Sequence, residues 1–390
     1  MQHSYDLIES PEQMALLGNF KAEIIVRSPG RVNLIGEHTD YNGGFVMPTA
    51  IDRAITFYLK KNNSKDKCNI RSLNYDTKTV IDLNNPNLEG EEWTLYLIGV
   101  IEEIKKLGHS IPGFDCVLWS SLPMGAGISS SAALECGLAY GLNELFDLGL
   151  TKLEMVKLSQ MAEHHYVGTK CGIMDQFASV MSQNDHVIKL DCKSIEHELL
   201  PFDIAPYKLL LLNTNVSHKL SDSAYNTRRE ECAEGVKVLQ SKFENIEYLR
   251  DADQEQLDTC RGELSDTVYK RCEYVLKEND RVLKAAEALK QQDLKTFGQL
   301  MYTSHEGLSN NYEVSCKELD FLTDFSKENE AILGCRMMGG GFGGCTINLI
   351  HEDAIKDYVK KASEAYYKKF NIRLSAFITA PAAGTSRLTD

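Results

Sequence analysis

A soluble chain of two or three globular domains, mixing helices with strands, is the architecture this sequence predicts, and three observations predict it. Its 390 residues exceed the ~250–300 at which a single core usually stops growing. Apolar residues make up 43% and charged residues 25%, the balance of a globular protein and far from that of a disordered one. Strand and helix periodicities alternate through the first half, and helical spacing dominates much of the second.

Glu23–Arg27 and Arg31–Ile35 are short strand-like runs. Tyr41-Asn42-Gly43-Gly44 is the strongest hairpin signal, because Asn-Gly supplies the positive φ angles of a tight primed turn. Phe45–Tyr58 continues the sheet, Trp93–Lys106 has helical spacing, and Phe114–Trp119 alternates like a strand. After Gly125–Gly127, a helix places Leu134, Leu138, Leu142 and Leu145 on one face. Leu153–His165 is amphipathic through Val156, Leu158, Met161 and Ala162, and Ile173–Met181 is a shorter helix. His186–Cys192 and Lys208–Asn213 read as strands; Leu209–Leu212 is apolar throughout, as in a strand buried on both faces. From Asn226 to about Leu308 the pattern is mainly helical, with Val282, Ala285, Ala286 and Leu289 on one stripe. Strands return at Cys345–Ile350 and Leu374–Thr379, with Ala354–Lys369 helical between them. No repeat, low-complexity stretch or long linker appears, and a boundary near residue 200 gives domains of 1–200 and 201–390.

The chain carries 42 Lys+Arg against 56 Asp+Glu, a net charge of −14. Such a field repels polyanions, which excludes nucleic acid or an anionic membrane as the main partner. A small anion such as a nucleotide still enters where a local cradle or a metal supplies positive charge. The 11 cysteines are scattered singly with no CxxC pair, so neither a zinc ribbon nor a redox dithiol is expected. They read as reduced core cysteines of a cytoplasmic protein. Met1–Glu9 lacks the basic-then-apolar pattern of a secretory signal, and no apolar run is long enough to span a membrane.

Leu122-Pro123-Met124-Gly125-Ala126-Gly127-Ile128-Ser129-Ser130-Ser131-Ala132-Ala133 joins a strand pattern to a helical one. Gly125 and Gly127 let the backbone approach a ligand and turn N–H groups inward, while Ser129, Ser130 and Ser131 offer hydroxyls at a helix N-terminus. This is the chemistry of a phosphate cradle; the same serines also suit a plain N-cap cluster. No GxxxxGK[ST] loop occurs, and no Gly-Lys pair. Met338–Gly344 formally contains GxGxxG, but a strand-like run follows it where a dinucleotide fold needs a helix, so a Rossmann site is rejected. No HRD or DFG stands in the order of a protein kinase.

Arg31, Glu37, His38 and Asp40 crowd into ten residues ending in the turn. Charged donors and acceptors so placed suit a small polyhydroxylated ligand; taken in isolation, such a cluster is more often a solvated turn with a surface ion pair. A metal site is a third reading, disfavoured because the His and carboxylate are adjacent rather than spaced for one helical face. Asp175 stands in the first turn of a helix, where an acid complements the dipole or, beside a cation, accepts a hydroxyl proton. Glu163 is either a Mg²⁺ ligand or a solvated helix-end acid; His164 and His165 lack an HExxH frame and read as structural.

Together these motifs are more specific than any one of them. Ser28-Pro29-Gly30-Arg31-Val32-Asn33-Leu34-Ile35-Gly36-Glu37-His38-Thr39-Asp40-Tyr41-Asn42-Gly43-Gly44 closely resembles the signature of the galactokinases, a branch of the GHMP small-molecule kinases. The Pro123–Ala133 stretch is similar to that family's phosphate-binding motif, and Met338–Gly344 to its third. Cys171-Gly172-Ile173-Met174-Asp175-Gln176, Glu163-His164 and Ser223-Ala224-Tyr225-Asn226-Thr227-Arg228-Arg229 also match, so the resemblance runs from about residue 24 to 350. It implies an α+β, two-domain GHMP kinase fold. The N-terminal domain would be mixed α/β, like domain 2 of ribosomal protein S5, the C-terminal one ferredoxin-like, and the active site would lie between them. It implies transfer of the γ-phosphoryl group of ATP to the C1 hydroxyl of α-D-galactose. By the same resemblance Glu37, His38, Asp40, Gly172, Asp175 and Tyr225 hold the sugar. Gly125, Ala126, Gly127, Ile128, Ser129, Ser130 and Ser131 wrap the nucleotide phosphates. Ser131 and Glu163 bind Mg²⁺, Asp175 is the base, and Arg31 orients it. No obligate protein partner is implied.

Two departures from the family pattern stand out. Met338 replaces the usual Thr of the third motif, which bears on one polar contact near the phosphates, and Pro381–Thr385 differs from the common ending. Two rival functions are N-acetylgalactosamine kinase and a non-catalytic sugar sensor. Thr39, Asn42 and Gly43 follow the galactose pattern, while Ser131, Asp175 and Arg31 are intact, which disfavours both.

Overall fold

The computed structural model describes residues 17–123, 125–217 and 221–388, so Met1–Glu9 and Met124 lie outside the described residues. The two strand-like runs at the start are one ten-residue strand, Ile24–Asn33 (β1), whose register shifts between Pro29 and Arg31. Further strands are Phe45–Val46 (β2), Pro48–Lys61 (β3), Lys67–Ser72 (β4), Thr77–Asp82 (β5) and Phe114–Ser120 (β6). His186–Asp191 (β7), His197–Pro201 (β8), Tyr207–Ser217 (β9), Ile332–Met337 (β10), Gly343–His351 (β11), Ser375–Thr379 (β12) and Ser386–Arg387 (β13) follow. They form a six-stranded sheet in the order β13-β1-β3-β6-β4-β5, a four-stranded sheet β10-β11-β9-β12 and a three-stranded sheet β2-β7-β8.

The expected hairpin at Tyr41–Gly44 is not a primed turn. A primed turn of this kind needs positive φ at both central residues, and of Asn42 and Gly43 only Gly43 has it, at +65°. Asp40–Asn42 instead forms a short 3₁₀ turn within a long connection from β1 to β3, and β2 leaves that connection to pair with β7. A Cβ on Gly43 would lie 2.7 Å from the Tyr248 ring, so glycine lets this turn seat against the helical half of the chain.

The helices follow the sequence periodicity closely. Glu92–Lys106 (α1) buries Leu97, Ile98, Val100, Ile101 and Ile104, and Ser130–Phe146 (α2) buries Leu138, Leu142 and Leu145 in the same core. Lys152–Ala162 (α3) starts with a capping box from Thr151 and Glu154. The helix expected over Leu153–His165 ends α-helical hydrogen bonding at Ala162; Glu163–Val167 is a wider π turn. Met174–Met181 (α4) is short, and Ser221–Gln240 (α5), Gln254–Thr259 (α6), Asp266–Lys290 (α7), Leu294–Asn310 (α8), Lys317–Lys327 (α9) and Ile355–Phe370 (α10) follow.

Strand β9 is buried on both faces, as its unbroken leucine run predicts. Leu209 and Leu211 join the main core, whereas Leu210 and Leu212 pack with Tyr358 and Tyr366 beneath α10. All 11 cysteines are free, eight of them buried. Among the described residues no helix is long and apolar enough to cross a membrane. The ends of β1, α2, α4 and β10 converge on one cleft, and the site lies there.

Candidate active site

Arg31 leaves β1 beside its bulge and is almost wholly buried. Its Nε and Nη2 each donate to Asp175, in the first turn of α4, at 2.6 Å, and Nη1 donates to the Gly127 carbonyl at 2.8 Å. Burial works against the guanidinium charge, but the attraction of Asp175 outweighs it and holds Arg31 above its ordinary range. Ser129 takes the left-handed conformation (φ +55°) just before α2. Its hydroxyl donates to Asp175 and caps no helix N–H, so the plain capping reading does not hold for this serine.

Residues 125–131 line a cavity of about 410 Å³ together with Arg31, Tyr96, Glu163, Thr169, Asp175 and Gly340. Gly125 and Gly127 both have positive φ, so the loop turns its backbone around this space. A second cavity of about 120 Å³ adjoins it, lined by Glu37, His38, Asp40, Cys171, Met174, Tyr225 and Gly339, and shares Arg31, Glu163, Thr169, Asp175 and Gly340 with the first. Every site residue singled out in the sequence therefore lies on one of the two cavities, except Gly172, which packs directly behind Asp40. A Cβ on Gly172 would stand 2.0 Å from Asp40 Oδ2, closer than any real contact.

The charged turn is held from both sides. Glu37 Oε1 accepts from the Gly339 N–H at 2.8 Å and faces the fully buried Arg336 at 3.1 Å, while the Glu37 carbonyl accepts from Tyr274 at 3.0 Å. Burial pushes His38 down to about 3, with the Arg228 and Arg336 charges acting the same way, so its ring is neutral. Burial first, and then the Asp175 charge, pushes the Asp40 carboxyl up to about 7. Tyr225 packs against His38 and Tyr41 with ring centroids 5.4 and 5.5 Å away, and burial holds its phenol well above the ordinary range.

Glu163 occupies the first position of the π turn, which swings it toward Gln176; the Gln176 amide donates to Glu163 Oε2 at 3.0 Å and to Glu135 Oε2 at 3.2 Å. Both acids are pushed up by burial, Glu135 further by Glu163 and Glu163 further by Asp175. His164 and His165 bond to the Cys171 carbonyl and to Glu103, which agrees with the structural reading given to them.

Several contributors escaped the sequence reading. Arg336 is one, although a charged residue inside the apolar strand β10 is a signal that a buried partner exists. Gln176 is another. A third is an apolar cavity of about 400 Å³ beside the serine loop, formed by Trp93, Tyr75, Tyr96, Leu118, Leu122 and Leu134. It shares Tyr96, Pro123, Ser130 and Ser131 with the glycine-loop cavity. Met338 is buried in the main core, its N–H bonded to the Cys345 carbonyl. The turn Met338–Gly344 runs from β10 to β11, strand to strand, as its rejection as a dinucleotide loop requires. The tail that departs from the family pattern threads back to the first sheet, with Thr385 Oγ1 2.9 Å from Ser28 Oγ.

Comparison with known proteins shows which family the chain resembles. The galactokinase galactose-binding signature matches residues 17–61, the GHMP kinases N terminal domain residues 96–183, and the GHMP kinases C terminal domain residues 285–368. A galactokinase of Thermosipho africanus is 40% identical over 364 residues, 93% of this chain and 99% of its own length. The crystal structure of Lactococcus lactis galactokinase complexed with galactose superposes with a TM-score of 0.91 at 34% identity, covering 96% of this chain and 97% of the other. A mevalonate kinase of Methanococcus jannaschii shares the fold alone, with a TM-score of 0.67 at 20% identity over 93% of this chain and 99% of its own. With that likeness running through almost its whole length, the chain belongs to the galactokinases of the GHMP kinase family.

Proposed function

We propose that this protein transfers the γ-phosphoryl group of ATP to the C1 hydroxyl of α-D-galactose, giving α-D-galactose 1-phosphate and ADP. One observation carries the reading: a small cavity rich in carboxylates opens onto a glycine-serine cavity, and the Arg31–Asp175 pair lies on both. A phosphoryl group seated in one and a sugar hydroxyl in the other would meet at that pair.

Phosphoryl transfer proceeds through a loose transition state, so positioning and charge neutralisation supply most of the acceleration. In this reading Glu37, His38, Asp40 and Tyr225 bind the sugar, and Gly172 gives Asp40 its place. Asp175 accepts the hydrogen bond of the attacking hydroxyl, and Arg31 aims Asp175 and offsets charge developing on the phosphoryl oxygens. Residues 125–131 wrap the nucleotide phosphates, and the apolar cavity around Trp93 and Tyr96 takes the base. The division into 1–200 and 201–390, a cytoplasmic location, and action without nucleic acid, membrane or obligate protein partner belong to the same reading.

Mg²⁺ fits the donors that are present. Ser131 and Glu163 line one cavity, and among the described residues no cluster of three or more acids, His or Cys could hold a metal alone. Mg²⁺ characteristically takes one or two protein oxygens and completes its shell with phosphates and water. When bound, the ion neutralises phosphate charge.

The test is ADP release from Mg-ATP in the presence of galactose, N-acetylgalactosamine, glucose or mevalonate. Turnover with galactose is expected. Turnover confined to N-acetylgalactosamine, or galactose binding without ADP release, would overturn the assignment.

A further inference from the structure

His38 is held in an unusual way. Its backbone takes φ +63°, rare outside glycine, and its carbonyl accepts from Asn42 at 2.9 Å. Its Nδ1 lies 2.8 Å from the Tyr41 hydroxyl, which lies 2.8 Å from the Tyr312 hydroxyl, which lies 3.1 Å from Cys232 Sγ. Tyr312 follows α8 and Cys232 sits on α5, so the chain of hydroxyls runs from the charged turn into the helical half. His38, Tyr312 and Cys232 are all buried. The other ring nitrogen, Nε2, is buried and makes no well-formed hydrogen bond, on a side chain that lines the 120 Å³ cavity; the Gly340 backbone in the same lining acts on the ring as an acceptor and is the protein group a sugar oxygen would compete with.

We infer that Tyr41 and Tyr312 are positioning residues that fix the orientation and tautomer of His38, so that its Nε2–H is presented to the sugar as a donor. The inference rests on the galactose reading of this cavity.

The chain can be polarised in two directions. In one, the Cys232 thiol donates to Tyr312, Tyr312 to Tyr41, and Tyr41 to Nδ1, which leaves the ring proton on Nε2. In the other, Nδ1–H donates to Tyr41, Tyr41 to Tyr312, and Tyr312 to the thiol sulfur. The first uses a phenol O–H on an imidazole nitrogen, a strong acceptor; the second uses one on sulfur, a weak acceptor. The first direction therefore wins. It also suits the cavity, where Glu37, Asp40 and Asp175 are acceptors when ionised and a fixed donor supplies the complementary half of hydroxyl recognition.

Long-range proton–nitrogen spectra of the full chain labelled with ¹⁵N-histidine read the tautomer directly, without any substitution. A bare Nδ1 and a protonated Nε2 on His38 are expected in the wild type, and a mixture of both forms in Tyr312→Phe. That variant keeps the ring against Tyr274, whose centroid is 4.7 Å away. Its galactose KM should rise about tenfold with kcat within roughly threefold, the size of one net hydrogen bond. In a His38→Ala background the same change should add nothing. An Nδ1–H tautomer in the wild type overturns the inference. So does a Tyr312→Phe loss that persists undiminished in His38→Ala, or a Tyr312→Phe protein identical to a galactose-active wild type. A wild type that neither binds nor phosphorylates galactose overturns the sugar reading itself, and the inference with it.

Discussion

Arg31 and Asp175 meet through two parallel hydrogen bonds of 2.6 Å, and the third arm of the same guanidinium reaches the Gly127 carbonyl at 2.8 Å. One side chain thus sets the distance between the glycine-serine loop and the carboxylate facing the sugar cavity. Asp175→Asn keeps the shape and loses the charge and one acceptor. Galactose affinity should stay within roughly tenfold while turnover falls by at least ~10². Titration calorimetry with galactose beside steady-state rates separates the two; unchanged turnover would remove Asp175 from the reaction.

Gly172→Ala tests the packing behind Asp40. The added methyl would need the space of Asp40 Oδ2, 2.0 Å away, and of its Cγ at 2.2 Å. The Asp40 side chain must swing out of place, so galactose KM should rise by at least ~10-fold while kcat at saturating sugar changes little. Equal KM values for the two proteins would show that Asp40 does not hold the sugar.

Much of this arrangement is legible in the amino-acid order, because local periodicity and local motifs carry it. Leu209–Leu212 announces a doubly buried strand, and the charged turn, the serine loop and Asp175 each announce a candidate site. Three features are silent for physical reasons. A π turn at Glu163–Val167 adds one residue to a helical turn and barely disturbs the apolar spacing. Asn-Gly at 42–43 permits positive φ at both residues without enforcing it at Asn42, so the type of turn is decided by packing such as that of Gly43 against Tyr248. The Arg336–Glu37 pair joins residues separated by most of the chain, and nothing at either position names the other.

Asp40 makes the unliganded protein sensitive to pH in a defined direction. Its carboxyl is pushed up to about 7 in the fold, against about 3.9 for an unfolded chain. The folded state therefore binds more protons than the unfolded state between those values. The corresponding stability is complete below ~4 and is lost as pH rises through about 7. Asp40→Asn mimics the protonated form. Its stability advantage over the wild type should grow by about 1.6 kcal/mol from pH 5.5 to 7, the slope falling from ~1.4 toward ~0.7 kcal/mol per unit as the group titrates. Urea denaturation across that range checks this; parallel curves for the two proteins would place the titration elsewhere.

Ser131 and Glu163 are proposed to share Mg²⁺. Ser131→Ala removes a neutral oxygen at the helix start without adding charge, so the protein should need more metal for the same nucleotide affinity. The midpoint of Mg²⁺-dependent ATP-analogue binding should shift upward severalfold, and saturating metal should restore most of the activity. Identical metal titrations for Ser131→Ala and wild type would exclude Ser131 as a ligand.

The apolar cavity beside the serine loop gives the nucleotide reading its own test. Trp93 packs against the core while lining that cavity with Tyr75, Tyr96 and Leu134, so its ring supplies a wall that a purine base would lie against. Contacts between a base and an aromatic side chain are worth about 1–3 kcal/mol by alanine substitution, which corresponds to roughly a 10- to 100-fold loss of affinity. Trp93→Ala should accordingly raise the ATP KM within that range. Galactose affinity should not move, because the 120 Å³ cavity has none of these aromatic residues in its lining. A galactose KM that rises as steeply as the ATP KM would mean that Trp93 acts through general stability. An ATP KM that does not move would place the base outside this cavity.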